Sequence, residues 1–294
     1  MNMKPYLKKR KALIDEYIKI VIPFKAEPQK LHDAMWYSMV DGGKRIRAVM
    51  MLAIADLVKF PLDEILDSAA GIEMIHTSTL ILDDMPSMDD ALLRRGKPAL
   101  HRIDGEATAI LLANVLLIEG ISLILKNLIK SVKDTDELVK LTTEILSAIG
   151  KDGIMLGQFL DLTLSNREIK LKEVEDIHKK KTAALFEASA KIAAAVSGVS
   201  SSEFKAVVDY AYYFGMAFQV SDDFLAVEGS ASSTGKMPLT KDKRPNFIAV
   251  CGKKDALQRL NGYIKKGVES IKVFKTPEAE PLIEMVKSLK DRTF

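Results

Sequence analysis

The segment ILDDMPSMDDALLRRGKP places Asp83, Asp84, Asp89 and Asp90 within eight positions and follows them with Arg94 and Arg95. So much like charge is costly unless a cation neutralises it. Oxygen-only ligands suit magnesium, which keeps waters and is usually completed by substrate phosphates. Pro86 disfavours helix at Met85, so Asp83 and Asp84 are expected to end a helix while Asp89 folds back from the loop, letting three carboxylates converge. Arginine's planar fork matches phosphate oxygens, so acid, metal and the two arginines together describe a diphosphate clamp. Without the arginines the same stretch would read as a solvated acidic loop.

A second acidic pair, Asp222 and Asp223, ends an apolar run in AFQVSDDFLAVEG, with Gln219 three and four positions upstream on the same helical face. The small, polar and basic stretch GSASSTGKMPLTKDKRP, about 229–245, follows it and reads as a mobile lid carrying Lys236 and Lys243 over a bound diphosphate. GGKRIR puts Lys44, Arg45 and Arg47 beside two glycines that let backbone approach an anion, yet it lacks the second half of a P-loop. His76 precedes Asp83 by seven residues, two turns of ~5.4 Å, and so shares its face; Glu73 lies one turn before it. Lys181 and Thr182 interrupt a helix that turns apolar just afterwards.

These groups need a scaffold of helices. In 294 residues, 48% are hydrophobic and 28% charged, which excludes intrinsic disorder and allows a sizeable core. Gly at 16 and Pro at 10 are too few for a turn-rich all-β fold. Apolar periodicity predicts helices at 31–40, 46–58, 68–82, 108–129, 136–149, 174–196 and 202–226, each too long for a strand. The expectation is a single all-α domain over 1–294, with no internal repeat. The apolar stretch from Ala107 meets Glu119 before the ~18 uninterrupted residues a membrane span needs, so no span is expected and this helix should be buried on most faces. A net charge of +3 with basic residues interleaved among carboxylates argues against a nucleic-acid binder. The N-terminal apolar stretch is broken by Asp15, Glu16 and Lys19, unlike a signal peptide, and the lone Cys251 cannot pair within the chain; a cytoplasmic setting fits.

Together these residues resemble the trans-type prenyl diphosphate synthases, the farnesyl and geranylgeranyl diphosphate synthase family. GGKRIR resembles its GGKRxRP, EMIHTSTLILDDMPSMDD its ExIH and first aspartate-rich region, GIMLGQFLDL its GxxxGQxxDL, IHKKKTAALF its HxxKTGxL and AFQVSDDFLA its FQxxDDxLD. The resemblance runs from Gly42 to Asp291 and Arg292. It implies an all-helical bundle around a central cavity, commonly homodimeric. Lys44, Arg47, His76 and Arg95 would hold isopentenyl diphosphate. Arg94, Lys181, Thr182, Gln219, Lys236 and Lys243 would hold the allylic diphosphate. Asp83, Asp84, Asp89 and Asp222 would bind magnesium, three ions with substrate present, and with Lys181 would carry catalysis. The implied reaction is ionisation of the allylic diphosphate, condensation with the isopentenyl double bond and proton loss, in which stabilising charge at the leaving group is the main protein contribution.

Departures from that pattern are specific. Ala226 replaces the last aspartate of the second acidic motif, Ala48 the proline after Arg47, Ala183 the glycine after Thr182, and the lid differs in spacing around Lys243. In the family a bulky aromatic five or four residues before the first aspartate stops growth at fifteen carbons; here Ser78 and Thr79 stand there. Small residues leave the tunnel open, which implies geranylgeranyl diphosphate, with farnesyl diphosphate synthase as the alternative. Ala226 also admits a non-catalytic prenyl-synthase-like subunit, against which the intact first motif and basic residues stand. A terpene cyclase would have no use for Lys44, Arg47 and His76.

Overall fold

A computed structural model describes residues 3–22, 28–40, 42–164, 167–228 and 245–291. The chain runs through α1 (Met3–Val21), α2 (Gln29–Met39), α3 (Ile46–Leu57), α4 (Leu66–Asp83), a two-stranded hairpin β1 (Leu93–Arg94) and β2 (Lys97–Pro98), and α5 (Leu100–Asp104). It continues through α6 (Glu106–Ser131), α7 (Thr135–Ile149), α8 (Ile154–Thr163), α9 (Leu171–His178), a π-turn at Lys179–Ala183, α10 (Ala184–Ser197), α11 (Ser201–Glu228), α12 (Phe247–Ile271) and α13 (Glu280–Lys287). The all-α expectation holds. The seven predicted helices are present, but the run at 174–196 is split by the π-turn, and α1, α5, α8, α12 and α13 were not foreseen.

α4 is the central helix, apolar on nearly every side, as a helix surrounded by others must be. Its most extensive partner is α6, with α3 and α10 also against it. The α4–α6 pair packs backbone to backbone: a Cβ on Gly71 would lie 2.5 Å from the carbonyl oxygen of Gly120, and one on Gly120 2.6 Å from that of Gly71. Ser68 donates to Asn127 Oδ1 at 2.7 Å, and the Asn127 amide donates to the Glu64 carbonyl at 2.8 Å, which fixes an antiparallel register. α11 lies between α10 and α12. One buried core runs from Ile14 to Leu289.

The stretch from Ala107 departs from expectation. Its helix, α6, contains an 18-residue window of mean hydropathy 2.2, long and apolar enough to cross a membrane by composition, and only 33% of that window is buried. Ala109, Leu112, Ala113, Leu116, Gly120 and Ile124 face the core, while Leu111 at 65% and Ile118 at 64% exposure face outward. Composition reports how apolar a helix is, not how many neighbours cover it.

Candidate active site

The C-terminal end of α4 folds as Pro86 dictates. The Asp89 amide donates to the Asp83 carbonyl at 3.0 Å and the Ala91 amide to the Asp84 carbonyl at 3.1 Å, wrapping the loop back over the helix end. The four carboxylates separate, however. Asp84 is buried and forked by Arg94, whose Nε lies 2.9 and 2.8 Å from its two oxygens. Asp83 accepts from the Gln158 amide of α8 and lies 4.0 Å from Arg94. Asp90 adopts a left-handed φ of 45°, is exposed and pairs with Arg102 instead. Among the described residues no three His, Cys, Asp or Glu side chains gather closely enough to hold a metal by themselves. This differs from the expected convergence of three carboxylates: Arg94 takes Asp84 and Gln158 takes Asp83. The donor set still fits magnesium, which needs only one or two carboxylates per ion when phosphates complete its shell.

The basic side is built from the turn before α3. Gly42 and Gly43 were expected to let backbone approach an anion; the space beside them is taken by Arg95. A Cβ on Gly42 would meet Arg95 Nη1 at 2.3 Å, and one on Gly43, at φ +80°, would meet Arg95 Cζ at 2.8 Å. Arg45 sits in the left-handed region at φ 52°, uncommon for a side chain-bearing residue, and its buried guanidinium holds it there. It contacts Asp15 of α1 at 3.0 Å, the Met39 carbonyl, and Glu73 of α4 at 3.7 Å. Glu73 also accepts from the Ala48 amide at 3.2 Å, satisfying a free donor of the first turn of α3. Arg45 and Glu73 therefore shape the turn that presents Arg47.

Arg47 is 8% exposed, and its guanidinium carbon lies 4.3 Å from the ring centroid of Phe186. Burial pushes its pKa down to about 10 although Glu73 and Asp222 pull the other way, and its Nε has no partner. A buried cation with an unanswered donor, stacked on an aromatic face and within the field of Asp222, is a site waiting for an anion. His76 is held well below its ordinary 6.5 by burial and by Arg47, Arg95, Arg94 and Arg45. It is neutral at pH 7 and can donate one hydrogen bond without adding charge.

The opposite wall comes from the π-turn and α11. Lys181 Nζ reaches Asp161 Oδ2 of α8 at 2.5 Å, and the Thr182 hydroxyl donates to Gln219 Oε1 of α11 at 2.6 Å. The Gln219 amide in turn donates to Asp223 Oδ1 at 3.1 Å, as its helical spacing predicted. Asp223 has a different task from Asp222: buried, it accepts the Phe247 amide at 2.9 Å and so holds the start of α12. Burial raises its carboxyl to about 8, opposed by those two hydrogen bonds and reinforced by Asp222 and Asp161. Lys44 is exposed in the turn before α3, and Asp222, in the last two turns of α11, acts on the Arg47 guanidinium. Lys236 and Lys243, and all of the expected lid but Pro245, lie outside the described residues.

Sequence reasoning missed Gln158, Asp161, Asp223, His178 and Phe186. Gln158 and Asp161 stood in the GQFLDL stretch, but only the approach of α8 to α4 and the π-turn gives them roles. His178 is buried against Phe247, ring centroids 5.0 Å apart, and burial drives its pKa to about 3, with Lys181 acting the same way and the Pro245 backbone opposing. The unfolded chain therefore binds a proton below pH 6.5 that the fold refuses until about pH 3. Stability is fully present above pH 6.5 and is lost as pH falls, by roughly 1.4 kcal/mol per unit. In urea melts at pH 7, 6 and 5, His178→Phe is expected to lose less stability per unit than the parent; equal slopes would show that His178 is not held neutral.

Three comparisons with known proteins agree with this geometry. The polyprenyl synthetase family model matches residues 28–274. Geranylgeranyl pyrophosphate synthase 4 of Arabidopsis thaliana is 34% identical over 300 residues, 99% of this chain and 78% of that protein. Farnesyl diphosphate synthase of Bacillus subtilis (strain 168) is 34% identical over 270 residues, 90% of each chain. Among solved structures, a geranyltransferase from Helicobacter pylori complexed with magnesium and isoprenyl diphosphate superposes with a TM-score of 0.80 at 27% identity, covering 99% of this chain and 97% of that one. With two acidic helix ends, an arginine-ringed histidine and an all-helical bundle already in place, the chain belongs to the polyprenyl synthetase family and is a prenyltransferase.

Proposed function

We propose that the protein is a geranylgeranyl diphosphate synthase that acts as one catalytic domain, adding isopentenyl diphosphate to allylic primers with three magnesium ions engaged. The observation that carries the reading is the pairing of two separately built anion sites. Arg47, His76 and Arg95 belong to one, to which the proposal adds Lys44; Arg94, Lys181, Thr182 and Gln219 belong to the other, to which it adds Lys236 and Lys243 from outside the described residues. In this reading Asp83, Asp84, Asp89 and Asp222 are the metal-binding set. Bound magnesium supplies positive charge that stabilises the departing pyrophosphate. Arg94, which forks Asp84, stands where its guanidinium would serve both that carboxylate and the allylic diphosphate. Neutral His76 and charged Arg47 hold isopentenyl diphosphate so that its double bond faces the carbon losing its C–O bond. A new C–C bond forms, and the proton lost afterwards passes to the released pyrophosphate.

Product length is set along α4. Ser78 is fully buried, its hydroxyl has no partner, and it shares a face with Gly71 and Ile75, which contact Gly120. It therefore lines the α4–α6 seam, whereas Thr79 donates back to the His76 carbonyl at 2.7 Å. Growth past fifteen carbons needs this seam free of aromatics. With a fifteen-carbon primer the parent is expected to release a twenty-carbon product by chromatography, and Ser78→Phe to stop at fifteen. A parent that stops at fifteen would favour the farnesyl reading, which the Bacillus relative's name also carries, and an unchanged product from the variant would remove Ser78 from the tunnel wall.

The same reading makes the protein a cytoplasmic homodimer. Leu111, Ile118 and Ile110 give α6 an exposed apolar face suited to a second copy, and no disulfide can form within a chain whose only cysteine is Cys251. Light scattering on the purified protein reads the dimer directly.

A further inference from the structure

The π-turn that displays Lys181 and Thr182 is gripped from two sides in the same way. On α8, a Cβ added at Gly157 would lie 2.2 Å from the Lys181 amide nitrogen and 2.6 Å from its Cα. On α11, a Cβ at Gly215 would lie 2.6 Å from Ala183 Cα and 2.9 Å from its Cβ. Four residues after each glycine, on the same helical face, stands the polar partner of the displayed side chain: Asp161 takes Lys181 at 2.5 Å and Gln219 takes Thr182 at 2.6 Å. Each flanking helix thus supplies a missing side chain that lets the widened turn approach and, one turn later, a group that orients what the turn presents.

We propose that Gly157 and Gly215 are positioning residues for the allylic diphosphate, forming with Asp161 and Gln219 a two-sided clamp that fixes where Lys181 and Thr182 stand. At Gly157 the obstacles to a methyl group are all backbone atoms, and at Gly215 the first is the Ala183 Cα, followed by its methyl and the Phe186 ring, so the turn itself has to retreat. Ordinary contact begins at 3.4 Å, which means a shift of roughly 1 Å for a methyl on Gly157, and a displacement of that size in a binding group costs about 10²-fold in rate. The isopentenyl groups Arg47 and His76 stand on α3 and α4, away from Gly157, whereas a Cβ on Gly215 would also lie 3.2 Å from Phe186 Cδ2, the ring against Arg47, so Gly157 carries the selective test.

The proposal rests on the assignment of Lys181 and Thr182 to the allylic substrate, and its test separates the two. Steady-state kinetics with both substrates varied is expected to show Gly157→Ala and Gly215→Ala raising KM for the allylic diphosphate by about 10-fold or more, with KM for isopentenyl diphosphate within two-fold of the parent in Gly157→Ala. In a Lys181→Ala background, Gly157→Ala should raise the allylic KM by less than it does in the parent, because one of the two groups it misplaces is gone. Gly71→Ala serves as the packing control: its Cβ would be as crowded, 2.5 Å from the Gly120 carbonyl oxygen, so it should lower Tm without changing the ratio of the two KM values. Equal rises in both KM values, additive effects with Lys181→Ala, or failure of both glycine variants to fold would overturn the proposal and make these glycines packing residues alone. If Lys181→Ala itself leaves the allylic KM unchanged, the assignment of the substrate site is wrong instead.

Discussion

Replacing Arg47 by Met is expected to raise the melting temperature and, in the same protein, to lower kcat/KM for isopentenyl diphosphate by about 10²- to 10³-fold. The two effects have one cause. In the free enzyme Arg47 is buried, its Nε unanswered and its pKa pushed from 12.5 to about 10, equivalent to a cost on the order of 3 kcal/mol for keeping the charge there. Met fills similar volume against Phe186 without a charge to desolvate, and replacing buried charge with well-packed apolar groups is often stabilising by about 1–4 kcal/mol. Part of that gain is lost with the cation–π contact, so a rise of a few degrees is expected. Substrate binding answers the charge in the parent and not in the variant. Thermal melts with and without isopentenyl diphosphate check both halves: ligand should raise Tm in the parent only. A variant that melts lower, or that keeps its kinetics, would show that Arg47 is a structural cation already satisfied by Glu73.

Asp84→Asn is expected to lower kcat by about 10³-fold while leaving KM for isopentenyl diphosphate nearly unchanged. Asn keeps the shape and one acceptor for Arg94 but removes the negative charge that a metal ion requires. Because Arg94 then loses its charged partner, a stability loss of about 1–3 kcal/mol should accompany the change. Single-turnover assays of the pre-bound allylic substrate isolate the affected step. Activity within tenfold of the parent would mean that Asp84 only anchors Arg94 and that the charge at this helix end comes from Asp83 and Asp89.

The chemistry of this chain was legible where it was local in sequence. Pro86 after two aspartates fixed the fold-back that hydrogen bonds from Asp89 and Ala91 now show, and the spacing of Gln219 to Asp223 became a contact. What failed was long-range. The glycines at 42 and 43 looked like an anion cradle because nothing nearby in sequence revealed that Arg95, more than fifty residues on, would occupy the space. Asp223 had no role beyond its place beside Asp222 until Phe247 was brought within reach of it. Helix α8 escaped notice because ten residues with a glycine inside carry too little periodicity, and α12 because its path breaks at Gly252, φ 77°. The exposed face of α6 was hidden by its own composition, since an apolar helix reads alike whether a core or a second subunit covers it.

The most direct measurement of the central claim is transfer itself. Purified protein is incubated with labelled isopentenyl diphosphate and each of the five-, ten- and fifteen-carbon allylic diphosphates, with magnesium and then with excess chelator. The account predicts label in longer prenyl diphosphates, dependent on magnesium and on both substrates, and lost in Asp84→Asn. Folded protein that transfers label to none of the primers at any magnesium concentration would contradict it.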